Sequence, residues 1–249
     1  MSTARLSAKE RERYSRQMVM EGFGEKAQLK LKEATVGILG VGGLGSPASM
    51  YLAAAGTGHL ILADDQKVER SNLNRQLLHW DRDAESSRYK VESAAEKLKG
   101  LNSDLMLTLR TERIHQNNIA LLLDDADIML DCTDNFETRM VLNAFCVSTK
   151  KPFVHAGVEG MAGQITTIVP GRSPCLRCLF PRLPPQKTSI PILGAAAGVF
   201  GSMQAVEAMK LITGVGQPLI GRMLVADLGC NSWDVIEIEP DPDCPVCGP

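Results

Sequence analysis

The chain has 249 residues, which fits one large α/β domain with its own hydrophobic core, with a catalytic body plus a small appendage as the alternative. Its 27 basic and 29 acidic residues give a net charge of −2, which argues against nucleic acid or a membrane surface as partner. The first ten residues contain no apolar signal region and no apolar stretch is long enough to span a bilayer, so we expect a cytoplasmic protein.

A pair of helices is predicted ahead of the first strand. Ser7 and Glu10 have the spacing of a capping box, which predicts a helix over residues 8–20. A second, shorter helix is expected over residues 25–31.

Strands and helices then alternate along the chain. The predicted strands cover residues 35–39, 59–63, 105–109, 128–130 and 153–155. The predicted helices comprise one that ends near residue 56 and others over residues 90–101, 117–123 and 136–149. This alternation predicts a Rossmann-like, doubly wound α/β sheet whose first strands are parallel.

The pattern changes in the last third of the chain. Alternating β-branched residues over 164–169 indicate a strand, and we expect the sheet to become antiparallel there. Residues 181–191 are rich in proline and lack periodicity, which is typical of an exposed crossover loop. The remaining predicted elements are a long helix and the two strands of a terminal hairpin, over residues 198–212, 219–226 and 233–238.

A glycine-rich turn joins the first strand to the helix that follows it. Backbone amides at such a helix N-terminus can face a phosphate, whereas side chains would block its approach. Asp64 ends the next strand, where a carboxylate can bind ribose hydroxyls. The motif alone does not distinguish NAD from ATP, and a tight turn without a ligand is the alternative. The candidate nucleotide-binding glycines are Gly40, Gly42, Gly43 and Gly45.

Polar residues downstream of the turn favour ATP. Arg75 and Lys90 supply two cations, and Asp134 follows another strand, as expected for holding a triphosphate and its Mg²⁺. Each has a structural alternative, since Lys90 fits a solvated helix residue and Asp134 fits the N-cap of the helix that starts at Phe136.

Four of the seven cysteines form two Cys-x-x-Cys pairs. An odd cysteine count without an export signal argues against a disulfide framework, whereas four thiolates suit a tetrahedral structural zinc. Redox dithiols and ordinary core residues are the alternatives. The candidate zinc ligands are Cys175, Cys178, Cys244 and Cys247, while Cys132 and Cys146 are expected to be buried.

Four segments resemble the signatures of the MoeB/ThiF/HesA family, the bacterial relatives of ubiquitin-activating enzymes. They are Arg-Tyr-Ser-Arg-Gln at 13–17, the glycine turn at 40–45, Ser-Asn-Leu-Asn-Arg-Gln at 71–76 and Asp-Cys-Thr-Asp-Asn at 131–135. The resemblance covers essentially the whole chain. It implies a single adenylation domain over residues 1–249, with N-terminal helices over 1–33, a nucleotide-binding half over 34–156 and a carrier-binding half over 157–249 that holds the crossover loop and the zinc site.

The resemblance also implies a role for each candidate residue. The implied nucleotide contacts are made by Gly42 at the phosphates, by Asp64 at the ribose, and by Asn72, Arg75 and Lys90 at the triphosphate. Asp134 would hold Mg²⁺. Arg16 resembles an arginine that reaches into the site of the neighbouring subunit, which implies a homodimer. The implied catalytic residues are Arg16, Arg75, Lys90 and Asp134.

The reaction implied by the resemblance is adenylation of a protein C-terminus. The substrate would be the glycine carboxylate of a small ubiquitin-like sulfur carrier ending in Gly-Gly, MoaD-like or ThiS-like, and pyrophosphate would leave. A carboxylate is already ionised at neutral pH, so positioning and cationic stabilisation carry the catalysis without a general base. Two other functions stay open: an NAD-dependent oxidoreductase with a structural zinc, and a carrier-binding scaffold that has lost catalysis.

Two positions depart from the family pattern. Many members carry a cysteine in the crossover loop, but Lys187 and Thr188 stand there, and there is no cysteine between Cys178 and Cys230. We therefore expect catalysis to stop at a non-covalent carrier-adenylate. Gln66 stands where the family usually has a second acid, so the nucleotide or metal contacts of the family cannot be carried over at that edge.

Overall fold

The computed structural model describes residues 5–184 and 190–248. The strands in chain order are β1 (Thr35–Leu39), β2 (His59–Ala63), β3 (Met106–Arg110), β4 (Ile128–Asp131), β5 (Phe153–Glu159), β6 (Ala162–Ile168), β7 (Arg222–Asp227) and β8 (Ser232–Glu237). They form one sheet in the order β3-β2-β1-β4-β5-β6-β7-β8. The pairs from β3 to β5 are parallel and those from β5 to β8 are antiparallel, which confirms the predicted mixed sheet.

Helices cover both faces of the parallel part of the sheet. They are α1 (Ala8–Arg13), α2 (Ser15–Met18), α3 (Gly24–Glu33), α4 (Gly45–Ala55), α5 (Asp81–Glu85), α6 (Lys90–Leu101), α7 (Ile119–Leu123), α8 (Phe136–Thr149), α9 (Leu176–Leu179) and α10 (Gly194–Thr213), with a short 3-10 helix at Arg70–Asn72. Within the described ranges, no helix has both the length and the apolar character needed to cross a bilayer.

The sheet separates two hydrophobic clusters. Val36 and Ile38 of β1 pack with α4, α6 and α10 on one face, and Leu39 packs with α7 and α8 on the other. Because both faces of β1 are buried, its sequence is a continuous apolar run rather than an alternating one. The loops at the carboxyl ends of these strands are therefore anchored in a rigid core.

The N-terminal helix prediction was wrong in one respect. The capping box is present, with the Glu10 amide donating to Ser7 Oγ at 3.2 Å and the Ser7 amide donating to Glu10 Oε2 at 2.7 Å. The predicted helix over 8–20, however, is interrupted at Tyr14, where φ is −97° and ψ is 8°. The Tyr14 side chain is buried and its hydroxyl accepts a hydrogen bond from Asn102 Nδ2 at 3.2 Å. This tertiary contact explains the break.

Other differences concern element boundaries. Helix α10 begins at Gly194 rather than at residue 198, because the chain is already held beside the sheet by hydrogen bonds between Gly160 and both Pro191 and Leu193. β5 continues beyond its predicted end at residue 155 to Glu159, and β6 begins at Ala162 rather than at residue 164, so the two strands form a hairpin. Helices α5 and α9 were not predicted, since helices of five and four residues depend on tertiary packing rather than on a sequence pattern. Residues 185–189 of the predicted crossover loop lie outside the described residues.

Candidate functional site

A cavity of about 1300 Å³ lies at the carboxyl ends of β1, β2, β4 and β5. Ligands of open α/β sheets bind at this edge, where the strand order reverses direction. The predicted site residues that line the cavity are Gly40, Gly42, Gly43, Asp64, Arg75, Lys90 and Asp134. Gly45, Asn72 and Arg16 lie outside the described lining, and Arg16 is exposed on α2. The structure thus brings most of the candidate residues to one place.

The turn between β1 and α4 requires glycine at two positions. Gly40 has a positive φ of 88°, and a Cβ there would lie 2.5 Å from the carbonyl oxygen of Cys132. A Cβ on Gly45 would lie 2.0 Å from the carbonyl oxygen of Gly40. Neither position has room for a side chain, because Gly40 packs against the loop that follows β4 and Gly45 packs against the start of the turn itself.

Asp64 shapes the same turn. Its Oδ2 accepts a hydrogen bond from the Val41 amide at 2.8 Å, and its Oδ1 accepts one from the Gln66 amide at 2.9 Å. Burial raises the pKa of Asp64, and Lys90 together with these two amides opposes that rise. The carboxylate therefore holds the backbone of the turn as well as facing the cavity.

Lys90 is buried with only 3% of its surface exposed, so the alternative of a solvated helix residue is wrong. Its Nζ donates to Gln66 Oε1 at 2.6 Å. Gln66, which replaces the usual acid, thus holds the ammonium group through a neutral acceptor and adds no negative charge beside it. Asp64 is then the carboxylate that acts on Lys90 at the cavity wall.

Arg75 is held in place by its own sequence neighbours. Its Nη2 donates to Asn72 Oδ1 at 2.9 Å, and its Nη1 donates to the Ser71 carbonyl and to Asn74 Oδ1, both at 3.1 Å. Asn72 does not line the cavity itself. The structure therefore shows it orienting the guanidinium that does.

A buried ionic network supports the loop after β4. Asp131 is fully buried, and its Oδ2 lies 2.7 Å from His155 Nδ1 and 3.4 Å from Arg139 Nε. Asp131 Oδ1 accepts from the amide and hydroxyl of Thr133 at 3.1 and 2.7 Å. Burial opposes ionisation, but Arg139 and His155 outweigh it and lower the pKa of Asp131. The network holds Thr133, directly before Asp134.

Asp134 is exposed to the cavity from this supported loop. Helix α8 is capped by Asn135, whose Oδ1 accepts from the Thr138 amide at 2.9 Å, so the alternative of Asp134 as the N-cap is wrong. Asn135 Nδ2 donates a long hydrogen bond to Asp134 Oδ1 at 3.5 Å. Among the residues that the structure describes, no partner contacts Asp134 Oδ2, so this oxygen is available for a ligand.

Several residues around the cavity were missed by the sequence analysis. Gln76, Arg113 and Arg139 line the cavity, and His79 lies behind the glycine turn. Gln76 belongs to the segment at 71–76, which could have identified it, whereas Arg139 and His79 carry no local signal. Their roles depend on partners distant in the sequence.

The four predicted zinc ligands lie together, with all sulfur atoms within 4.8 Å of one another. The Sγ–Sγ distances are 4.0 Å for Cys175–Cys178, 3.7 Å for Cys175–Cys244 and 3.4 Å for Cys178–Cys247. Four thiolates about 2.3 Å from a tetrahedral zinc would lie roughly 3.8 Å apart, so this donor set fits the metal. The cluster joins α9 to the C-terminal tail.

The other three cysteines lie outside this cluster. Cys132 and Cys146 are buried, as predicted, and Cys230 is exposed in the turn between β7 and β8. Burial raises the pKa of both Cys132 and Cys146 well above the usual thiol value, so neither is a thiolate at neutral pH.

Comparison with known proteins places the chain in a family. The ThiF family matches residues 14–246. The HesA protein of heterocysts from Trichormus variabilis is 42% identical over 98% of this chain and 91% of its own length. The SAMP-activating enzyme E1 of Haloferax volcanii is 41% identical over 99% of this chain and 92% of its own length.

Among solved structures, E. coli MccB with ATP aligns with a TM-score of 0.83 and 26% identity, over 95% of this chain and 74% of that one. The family match, the two relatives and this structure agree with the resemblance of the four sequence segments. The chain belongs to the ThiF family of E1-like adenylyltransferases.

Proposed function

We propose that this enzyme uses ATP and Mg²⁺ to adenylate the C-terminal carboxylate of a small ubiquitin-like carrier protein that ends in Gly-Gly. The observation that carries the proposal is the cavity, which is lined by a glycine turn, the cations Arg75 and Lys90, and the exposed carboxylate of Asp134. Two comparisons support it, since one relative is named as a SAMP-activating enzyme and one similar structure contains ATP.

The charges of the cavity suit a nucleotide triphosphate. Arg75 and Lys90 would contact the phosphates and stabilise the negative charge that develops as pyrophosphate leaves. Asp64 would bind the ribose. Asp134 would hold Mg²⁺, which neutralises phosphate charge when bound. The attacking carboxylate is ionised at neutral pH, so the residues of this chain need only position it and exclude water.

The mechanism is proposed to end at a non-covalent carrier-adenylate. Lys187 and Thr188, which stand where many family members have a cysteine, lie outside the described residues. Cys230 is exposed in the β7–β8 turn, and the described lining of the cavity does not include it. We therefore infer that a separate protein delivers sulfur to the activated carrier, for molybdopterin, thiamine or another sulfur-containing product.

The active unit is proposed to be a homodimer. Arg16 is exposed on α2 and lies outside the described lining of its own cavity, which supports a role in the site of a neighbouring copy. Mixing an Arg16→Ala chain with an Asp134→Ala chain tests this, because each inactive homodimer would lack a different part of the site. Recovery of activity in the mixture is expected, and a mixture as inactive as its parents would contradict shared sites.

A structural zinc is proposed at Cys175, Cys178, Cys244 and Cys247. Four protein thiolates leave no open position for water or substrate, so the metal would hold the tail rather than act in catalysis. Metal analysis of protein purified without chelators should find about one zinc per chain. Protein that is folded and active with no zinc would contradict the assignment.

Calorimetry with ATP-Mg²⁺ and with NAD tests the nucleotide directly. We expect ATP binding that weakens when Mg²⁺ is removed, and no tight binding of NAD. Tight NAD binding without ATP binding would instead support the oxidoreductase. Intact-mass analysis after incubation with ATP and carrier should show carrier-AMP and no enzyme–carrier adduct. An adduct that thiols release and that disappears in Cys230→Ala would contradict the proposed end point.

A further inference from the structure

The peptide groups on both sides of Val41 are held by side chains from outside the glycine turn. The Val41 amide donates to Asp64 Oδ2 at 2.8 Å, as described above. The Val41 carbonyl oxygen lies 2.8 Å from His79 Nε2. His79 is 3% exposed and comes from the segment between the 3-10 helix and α5. The turn is thus held from two directions.

The contacts of His79 define its tautomer. A carbonyl oxygen only accepts hydrogen bonds, so Nε2 must carry the proton and donate to Val41. Nδ1 lies 2.9 Å from Ser93 Oγ and therefore accepts from that hydroxyl. Burial lowers the pKa of His79 to about 4, so the ring is neutral at physiological pH. Both ring nitrogens are satisfied by this single arrangement.

A second set of contacts keeps the ring in place. Ser93 Oγ accepts from Lys97 Nζ at 3.0 Å, and Lys97 in turn pairs with the buried carboxylate of Asp83. Ser93 and Lys97 lie on α6, one turn apart. The imidazole is therefore held against α6, and its hydrogen bond to the Val41 carbonyl fixes the glycine turn relative to that helix.

The orientation of the Val41 carbonyl determines that of the next amide. In a trans peptide the C=O of one residue and the N–H of the next point in opposite directions. His79 draws the Val41 carbonyl toward α6, so the Gly42 N–H points away from His79. Gly42 lines the cavity, and no acceptor for its amide is found among the residues that the structure describes.

We propose that His79 is a positioning residue that aims the Gly42 amide into the cavity to bind a nucleotide phosphate. The inference rests on the proposed ATP-dependent function. His79 itself lies outside the described lining, so it acts through the backbone of Val41 and Gly42. Without it, the Val41 carbonyl would lose its donor, and the Val41–Gly42 peptide would be restrained only from its two ends, by Asp64 at the Val41 amide and by the Ser46 amide at the Gly42 carbonyl.

Two substitutions separate this role from simple packing. His79→Leu removes the donor and leaves the Val41 carbonyl unpaired, whereas His79→Gln keeps an N–H group at a similar reach. His59→Leu is the matched control. His59 is a partly buried histidine of β2 whose Nε2 lies 2.9 Å from Thr108 Oγ1, and it lies outside the described lining of the cavity. Calorimetry gives the Kd for ATP-Mg²⁺, thermal unfolding gives Tm, and exchange kinetics give KM for ATP and for the carrier.

We expect His79→Leu to weaken ATP-Mg²⁺ binding on the order of tenfold, as misplaced binding groups do. KM for the carrier should stay near its original value, and His79→Gln should recover most of the ATP affinity. His59→Leu should lower Tm without changing the Kd for ATP. If His79→Leu does not fold, Ser93→Ala removes the support of the ring and should weaken ATP binding by a smaller factor.

Equal ATP binding by the unsubstituted chain and by His79→Leu would overturn this inference alone. So would a folded His79→Gln that binds ATP as weakly as His79→Leu, or a folded Ser93→Ala with unchanged ATP affinity when His79→Leu does not fold. Failure of the unsubstituted chain to bind ATP would instead overturn the proposed function.

Discussion

The loops after β1 and β4 lie side by side, because these two strands are neighbours in the sheet. Both reach the same cavity, and each is held by a buried histidine and an aspartate. The loop after β1 is held through its backbone at Val41 and contributes backbone groups. The loop after β4 is held at Thr133 and contributes an exposed side chain, the carboxylate of Asp134.

The two loops differ in the charge of the ligand that they attract. Backbone N–H groups at a helix N-terminus attract anions, whereas a carboxylate attracts a metal cation. A triphosphate bound with Mg²⁺ needs both, a short distance apart. Neighbouring strand ends can therefore bind ligands of opposite charge when each loop is held by a different part of the chain.

The largest effect is expected when the second loop loses its free carboxylate. Asp134→Ala should stay folded and lose carrier adenylation by about a hundredfold or more, since a metal contact at the transition state is worth several kcal/mol. The matched control is Asp104→Ala, because Asp104 is an exposed aspartate outside the described lining of the cavity. Near-normal pyrophosphate exchange in Asp134→Ala would remove this residue from the mechanism.

A second substitution tests whether the loop after β4 depends on buried charges. Arg139→Met leaves Asp131 without its cation and should lower the free energy of unfolding by about 3 kcal/mol. Chemical denaturation measures this, with Arg113→Met as control because its ion pair with Glu137 is exposed. Unchanged stability of Arg139→Met would show that the loop is held without this ion pair.

The support behind the loop after β1 should depend on pH. Burial opposes ionisation of Asp83, but Lys97 outweighs it and lowers the pKa to about 2, against about 3.9 in an unfolded chain. The lowered pKa stabilises the fold above pH 4, and this contribution of about 2–3 kcal/mol is lost as the pH falls through 2. Asp83→Asn should therefore be less stable than the original chain at pH 7.

The stability difference between Asp83→Asn and the original chain should disappear as the pH approaches 2. Denaturation at a series of pH values measures it. A difference that stays constant from pH 7 to pH 2 would mean that the Asp83 carboxylate is not the source of the stabilisation.

The smallest effect is expected at Gln66. Gln66→Glu places a carboxylate against Lys90 and should weaken ATP binding severalfold, about 1 kcal/mol, because the ammonium charge is then partly neutralised. Gln66→Met is the matched control, since it removes the acceptor without adding a charge. Tighter ATP binding by Gln66→Glu would show that an added carboxylate beside Lys90 does not oppose binding.

Much of the fold was predictable from local patterns. The alternation of strands and helices, the change to antiparallel pairing and the cysteine spacing each gave a correct expectation. The break at Tyr14 was not predictable, because it depends on a contact with Asn102, which is 88 residues away. The early start of α10 depends likewise on contacts with the β5–β6 hairpin.

The candidate site likewise contains residues that could be predicted from the sequence and residues that could not. Residues in glycine-rich or acidic segments, such as Gly42 and Asp134, could be chosen from the sequence because those segments have a known chemical use. The residues that hold them could not, since His79 meets Val41 across 38 positions of the chain. The burial of Lys90 was also hidden, because a lysine at a helix start is ordinarily exposed.

Exchange of labelled pyrophosphate into ATP measures whether this enzyme adenylates a carrier protein. The assay would compare MoaD-like and ThiS-like carriers ending in Gly-Gly with the same carriers lacking the last glycine, each with and without Mg²⁺. We expect exchange only when Mg²⁺ and an intact carrier are both present. A folded enzyme that binds an intact carrier and ATP-Mg²⁺ yet catalyses no exchange would contradict this expectation and identify the chain as a binding scaffold.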